Sequence, residues 1–307
     1  MTDFCYVTAA KDLKTVTDFL RFGLSRAAAC ALYYGHGTDN AWDDIWALVL
    51  GSLALPFDVD PLLLNGRLTT AERALLCERF EQRIEKRIPV PYLTHEAYFC
   101  DLPFYVDERV LIPRSPIAEL IKQQFSPWIN PMSVEHVLDL CTGSGCIAIA
   151  CCEAFPDAMV DAVDISPAAL AVAEINRQRH GVADVLTLIE SDCFTQVPTI
   201  RYNIIVSNPP YVGHEEMQTL PCEYQHEPVL ALETADNGLA IIDRILHQAR
   251  HYLAEDGILV VEVGNSENAL IDAYPHVPFT WLDFEHGGQG VFLLTYQQIS
   301  EHFSEPS

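Results

Sequence analysis

Val134-Glu-His-Val-Leu-Asp139-Leu-Cys-Thr142-Gly143-Ser-Gly145-Cys-Ile-Ala-Ile-Ala150 is the stretch on which the fold turns. Its first seven residues, Val134–Leu140, read as a strand, and the two glycines allow a sharp turn with close backbone approach. Cys146–Ala154 then reads as a helix that starts at the turn. A helix N-terminus immediately after a strand and a glycine turn suits a nucleoside or nucleotide at the carboxyl edge of a sheet. A bare Gly-x-Gly is common in ordinary turns, so its surroundings decide its meaning.

The same alternation continues toward the end of the chain. Val160–Ile165, Thr187–Glu190, Asn203–Ser207, Ile258–Val263, Phe279–Asp283 and Gly290–Tyr296 read as further strands. Helices are expected at Pro167–His180, near Phe194 and at Gly238–Tyr252, and another begins near Pro116. Apolar strands that alternate with helices predict an α/β protein with a doubly wound, mostly parallel, seven-stranded sheet. Only Phe284 and Glu285-His-Gly-Gly-Gln separate the last two strands, too few residues for a parallel crossover. One of them must run antiparallel.

Upstream the texture is helical. Leu13–Cys30 has a near 3.6-residue apolar period, and Asn40–Leu50 has Asn40 placed as a cap and Gly51 as a stop. Thr69–Arg87 opens with a Thr69 to Glu72 capping-box pattern and ends before Pro89. From Tyr98 to Leu111 short β-like runs predict a hairpin. The expected organisation is a helical, substrate-recognising domain over 1–95, a linking hairpin over 96–115 and the α/β domain over 116–307.

Composition narrows the function. The 307 residues include 43 acidic and 18 basic side chains, a formal charge of −25, with the acids spread along the chain. Such a surface repels nucleic-acid phosphates and would speed encounter with a basic partner, although net charge can also simply keep an enzyme soluble. No basic cluster for duplex DNA appears. No apolar run is long enough to span a membrane, and Met1-Thr-Asp-Phe-Cys lacks the features of a signal peptide, so a cytoplasmic location is expected. Ten cysteines, three of them at five-residue steps (Cys141, Cys146, Cys151), show no metal-ligand spacing. They read as small apolar thiols in a reducing compartment.

Three acids stand at three successive strand ends: Asp139, Asp164 and Asp192. Asp164 lies about twenty residues past the glycines, where an acid accepts ribose hydroxyls. A dinucleotide would favour a third glycine at Ala148 and would be repelled by Asp139 before the turn. S-adenosylmethionine carries an ammonium and a sulfonium, and the acids favour it. The candidate cofactor residues are Asp139, Thr142, Gly143, Gly145, Asp164, Ile165, Asp192 and Asn208.

The fourth strand ends in Ser207-Asn208-Pro209-Pro210-Tyr211. Two prolines cannot donate to a ladder, and they hold Asn208 and Pro209 extended. The Asn208 side-chain oxygen and the Pro209 carbonyl become two fixed acceptors for a planar NH2 group, with Tyr211 beside it. An amide nitrogen is a poor nucleophile; gripping both its hydrogens aims its lone pair and favours the charge that develops as it is methylated.

With Asn208-Pro-Pro-Tyr211, Asp139-Leu-Cys-Thr-Gly-Ser-Gly145 and a helical N-terminal region, the chain resembles the HemK-type protein-glutamine methyltransferases from about Leu13 to Tyr296. The resemblance implies the class I S-adenosylmethionine-dependent methyltransferase fold. One branch of that family modifies the Gly-Gly-Gln loop of peptide-chain release factors; the other modifies a glutamine of ribosomal protein L-three. Pro113-Arg114-Ser-Pro-Ile-Ala-Glu119 departs from the Pro-Arg-x-Glu-Thr-Glu of the release-factor branch. Together with Glu223-Tyr-Gln-His-Glu227-Pro228 and Val261-Glu-Val-Gly-Asn265-Ser, it is similar to the ribosomal-protein branch. The resemblance implies that Asn208 and Pro209 hold the glutamine amide, that Tyr211 helps form its slot, and that Asp139, Gly143, Asp164 and Asp192 hold S-adenosylmethionine; Pro210 is a further candidate for contact with the substrate. Arg114 is expected either to touch substrate or to pin the hairpin by pairing with an acid. Glu223 and Glu227 read either as part of a loop that covers the site or as surface carboxylates, common in so acidic a chain, and His226 and His286 as ordinary surface or turn residues. A DNA or RNA adenine methyltransferase shares the Asn-Pro-Pro-Tyr chemistry but needs basic surface; a purely binding protein would not need the amide clamp.

Overall fold

The computed structural model describes residues 6–285 and 287–303. His286 and Met1–Cys5, on which two of the readings above rest, lie outside the described residues. The chain divides into two compact units, one running to Ala97 with the addition of Pro221–His226, the other holding Tyr98–Leu220 and the chain from Glu227 on.

The helical unit is built on capped helices. Val16–Ala29 starts later than its apolar period predicts because Thr15 forms a capping box with Asp18. Asn40 caps Ala41–Ser52 through the Asp43 amide. The Thr69–Glu72 capping box opens Thr70–Phe80 as expected, but the backbone then widens into a π-helical turn over Glu81–Glu85. Tyr6–Asp12 and Val90–Thr94 are short helices that periodicity does not reveal. Phe19, Phe22 and Phe80 pack with Ile45, Leu48 and Leu76 in its core. A Cβ on Gly23 would stand 2.7 Å from the Phe80 ring.

One cation is buried in this unit. Arg83 donates from Nε to Asp44 at 2.8 Å and from Nη2 to the Tyr33 carbonyl at 2.9 Å, and its Nη1 lies 3.4 Å from Glu223. Glu223 also accepts the Tyr33 amide at 3.0 Å. It is 2% exposed, which corrects the reading of a loop carboxylate at the surface. A buried charge persists only when paired and hydrogen-bonded in this way.

At the boundary stands a hairpin of β1 (Ala97–Phe99) and β2 (Leu102–Phe104), shorter than the expected span to Leu111. Seven strands follow: β3 (His136–Leu140), β4 (Met159–Asp164), β5 (Leu186–Glu190), β6 (Tyr202–Ser207), β7 (Leu253–Glu262), β8 (Thr280–Trp281) and β9 (Val291–Thr295). They form one sheet in the order β5-β4-β3-β6-β7-β9-β8, parallel from β5 to β7, with β9 antiparallel to both its neighbours. The class is as the alternation predicts, and the short last connection accounts for the reversed strand.

Successive residues of the central strands enter opposite cores. Val137, Ile204, Val206, Ile258, Val260, Val291 and Leu293 pack under helices Ile117–Lys122 and Cys146–Ala154. Leu138, Leu140, Ile205, Leu259, Val261, Phe292 and Leu294 pack under Ala240–Ala249 and Tyr296–His302. Period-two alternation with both faces apolar is what a sheet covered on two sides requires. Two expectations fail: the segment around Phe194 is a turn, and the strand expected over Phe279–Asp283 shrinks to Thr280–Trp281. Phe194 is instead fixed by stacking on Tyr252 at 4.6 Å and needs no helix to bury it. Among the described residues no helix is long and apolar enough to cross a membrane.

Candidate active site

A cleft of about 1100 Å³, including its open mouth, lies at the carboxyl ends of β3, β4, β5 and β6. Its walls include Arg114, Thr142, Gly143, Asp164, Ile165, Asp192, Asn208 and Pro210. Strand order explains the position: connections leave β3 toward β4 on one side while β6 lies on the other, which opens a crevice at that reversal.

The glycine turn is shaped by its acids. Gly143 has φ +57° and donates its amide to Asp164 Oδ2 at 2.8 Å, while the Ser166 amide reaches Asp164 Oδ1 at 2.9 Å. Burial raises the Asp164 carboxyl above its ordinary range, and these backbone donors oppose that rise. Each oxygen keeps a further lone pair for a ligand hydroxyl. Ile165, 51% exposed, adds an apolar face to the cleft wall. Gly145 does not line the cleft; at φ +80° a Cβ there would lie 3.3 Å from Ala173 Cβ, so this glycine lets two helices approach.

Asp139 stands elsewhere than its place in the motif predicts. Its strand parity is that of Val137, so the side chain lies under helix Cys146–Ala154, fully buried and not on the cleft wall. Oδ2 accepts the Thr142 hydroxyl at 2.6 Å and the Ala148 amide at 3.2 Å, and Oδ1 has no hydrogen-bond partner. Burial pushes the carboxyl up to about 7, against the pull of those two donors, with nearby Asp164 adding to the rise. It braces the turn from behind.

Asp192, after β5, pairs with Arg244 at 2.7 Å, a cation from helix Ala240–Ala249 that no sequence spacing pointed to. Nearby thiols are held protonated: burial raises Cys146 to about 12 and Cys141 well above the ordinary thiol value. All nine described cysteines are free thiols, and among the described residues no cluster of metal-ligating side chains occurs.

At the end of β6, Asn208 and Pro210 line the cleft, and Pro209 and Tyr211 flank them in the chain without being part of its wall. Neither the Asn208 side chain nor the Pro209 carbonyl has a hydrogen-bond partner among the described residues. Tyr211, by contrast, is tightly held. Its hydroxyl donates to Glu262 Oε1 at 2.9 Å, and its carbonyl accepts the Ser266 hydroxyl at 2.8 Å. A Cβ on Gly264 would stand 2.4 Å from the ring, and one on Gly238 would stand 2.1 Å from the carbonyl oxygen. Only glycine leaves room at either place.

Glu262 is 6% exposed and also accepts the Ser115 hydroxyl at 2.5 Å; burial raises its carboxyl, and the two hydroxyl donors oppose the rise. A carboxylate inside Ile258-Leu-Val-Val-Glu-Val is the sequence signal that could have exposed it. Arg114 lies on the cleft wall, with its guanidinium paired to Glu227 by two bonds of 2.6 and 2.8 Å. Glu227 is 3% exposed and accepts the Ile112 amide at 3.0 Å, so it too is no surface carboxylate. His226, whose ring nitrogen lies 2.8 Å from the Lys86 carbonyl, is half-buried on the helical unit.

A doubly wound sheet with a cleft at this reversal, a glycine turn tied to an acid after the second strand, and Asn-Pro-Pro-Tyr after the fourth defines a class I methyltransferase. The family model "Methyltransferase small domain" matches residues 123–223. The catalytic domain of hMettl16, solved in complex with the MAT2A 3'UTR hairpin 6, shares the fold. Its TM-score is 0.51 at 15% identity, over 76% of this chain and 86% of that one. The chain belongs to the ribosomal protein uL3 glutamine methyltransferase family. It is 46% identical to the protein of that name from Francisella tularensis subsp. tularensis, over 95% of this chain and 93% of the relative. Identity is again 46% to the one from Xanthomonas campestris pv. campestris, over 96% and 95% respectively.

Proposed function

We propose that the protein transfers a methyl group from S-adenosylmethionine to the side-chain amide nitrogen of a glutamine in large-subunit ribosomal protein L-three (uL3), in the cytoplasm. The observation that carries the reading is the pair of unengaged acceptors at Asn208 and Pro209, at the point where β6 ends against the cleft.

The residues present fit the cofactor. Asp164, held by two backbone amides, suits ribose hydroxyls; Ile165 offers an apolar face for adenine; Asp192, steadied by Arg244, suits the adenine edge. When bound, S-adenosylmethionine supplies an electrophilic methyl group on a sulfonium. Asp139 is assigned an indirect role, holding Thr142 and the helix start so that the turn keeps its shape. Asn208 and Pro209 accept the two hydrogens of the substrate amide, which fixes the nitrogen in place and stabilises the positive charge that grows on it. The nitrogen becomes acidic once methylated, so no strong base is needed beside it. Tyr211 forms the back of the amide slot, and Arg114 with Glu227 fixes the neighbouring wall. The formal charge of −25 supports a basic protein partner over a nucleic acid.

The test is a transfer assay with radiolabelled methyl donor, offering separately ribosomal protein L-three, release factor and DNA, each purified from cells lacking the enzyme. Label on one glutamine of the ribosomal protein is expected. Label only on release factor would keep the chemistry and change the substrate, and label on DNA would overturn both.

A further inference from the structure

The helical unit carries an exposed aromatic strip with an acidic border. Trp42, on Ala41–Ser52, is 53% exposed and stacks on Trp46 one turn later, with ring centroids 5.7 Å apart and planes 23° from parallel. The Trp46 indole N–H donates to the Phe57 carbonyl at 3.3 Å, and Phe57 is itself 47% exposed. The exposed Trp42 ring, stacked on the half-buried Trp46, and the exposed Phe57, tied to Trp46 through its carbonyl, thus group aromatic surface on this unit, and such groups mark a contact surface.

The charge around them has one sign. Between Arg26 and Arg67 the chain contains five aspartates and no lysine, arginine or glutamate. Asp44 is buried against Arg83, but Asp39, Asp43, Asp58 and Asp60 are exposed, and none of these four pairs with a cation among the described residues. The Asn40 side chain donates to both Asp39 and Asp43, which holds these two carboxylates at the start of the helix that carries Trp42.

We propose that this strip is the docking surface for a lysine- and arginine-rich segment of the protein substrate, a proposal that rests on the reading of a basic ribosomal protein as that substrate. Guanidinium and ammonium groups lie over the faces of Trp42 and Phe57, attracted by the ring quadrupoles, while the bordering carboxylates pair with neighbouring cations. A nucleic acid would be repelled by the four exposed acids. A second copy of the chain would bring the same acids face to face.

The experiment is steady-state methyl transfer to purified ribosomal protein L-three by the wild type, by Trp42→Ala/Phe57→Ala and by Asp39→Asn/Asp58→Asn. In the aromatic variant KM for the protein substrate is expected to rise about tenfold. Its kcat and its affinity for S-adenosylmethionine should both stay within about twofold of wild type. In the aspartate variant KM should rise by roughly threefold, and the increase of KM with salt, from about 0.05 M to about 0.3 M, should become shallower than in the wild type. Asp39 and Asp58 are exposed, and asparagine at 39 keeps an acceptor oxygen for Asn40, so this second variant reports on docking even if loss of the rings loosens the helix. Unchanged KM and salt dependence in both variants would overturn the docking surface while leaving the activity intact. No transfer to the ribosomal protein by the wild type would overturn the functional reading, and with it the occupant named here.

Discussion

Glu262 receives the Tyr211 hydroxyl at 2.9 Å inside the sheet, so the residue that closes Asn-Pro-Pro-Tyr is anchored to a buried carboxylate on the neighbouring strand. Glu262→Leu would leave the Tyr211 and Ser115 hydroxyls without their acceptor, costing about 1–3 kcal/mol for each that stays buried and unsatisfied. With Tyr211 free to shift, kcat should fall by up to about a hundredfold. Glu262→Gln keeps one acceptor and should retain most of the stability and part of the rate. Urea melts together with kcat of the two variants check this; a Leu variant as active as wild type would remove Glu262 from the site.

In the proposed reaction Asn208 supplies one acceptor of the amide clamp. Asn208→Ala should lower kcat by about two to three orders of magnitude, as losing one preorganised hydrogen-bonding group at a developing charge does elsewhere. S-adenosylmethionine affinity, measured by calorimetry, should stay within a few-fold. Unchanged turnover would end the account of how the amide is held.

Asp139 gives a pH signature. Its folded carboxyl titrates at about 7, far above the value of about 3.9 for an unfolded aspartate. At this carboxyl the folded state therefore binds more protons between these values, and the stability that Asp139 contributes falls as pH rises from about 4 to about 7, then levels off. The size is of the order of 4 kcal/mol. Asp139→Asn keeps an oxygen for Thr142 and Ala148 and cannot ionise, so its melting temperature should decline less over that range. Parallel slopes for variant and wild type would show that the carboxyl is not raised.

Arg114 and Glu227 should behave as a unit. Arg114→Ala leaves Glu227 buried without its cation and is expected to cost about 3–5 kcal/mol. Arg114→Lys keeps the charge but cannot reproduce the two parallel bonds, and should cost about 1.5–3 kcal/mol. Chemical denaturation of both variants gives the comparison; equal stability for Ala and Lys would mean that geometry contributes nothing there.

The class of fold was legible because each central strand is apolar on both faces and the connections are helical, a pattern written in local sequence. Asp164, Asn208 and the glycine turn were legible for a similar reason: strand ends at the carboxyl edge of a parallel sheet all face one crevice. Asp139 shows where that logic stops. It precedes the strand end by one residue, and parity alone sends its side chain under the following helix, a distinction that the motif hides and a count along the strand reveals. Arg244, 52 residues from Asp192, and Glu262, 147 from Ser115, are brought to their partners only by the winding of the sheet. The turn at Phe194 was misread because a ring stack on Tyr252 buries the phenylalanine that the strand–helix alternation assigned to a helix.

Pro221–His226 belongs to the helical unit although it is threaded in from far down the chain, and it brings Glu223 to Arg83. The helical unit is therefore not a detachable cassette. A gene fragment that stops at Ala97 omits one of the two carboxylates around a fully buried guanidinium. Recombination at that point would transplant an incomplete module, so an exchange of this unit between relatives has to carry two separate stretches of coding sequence together.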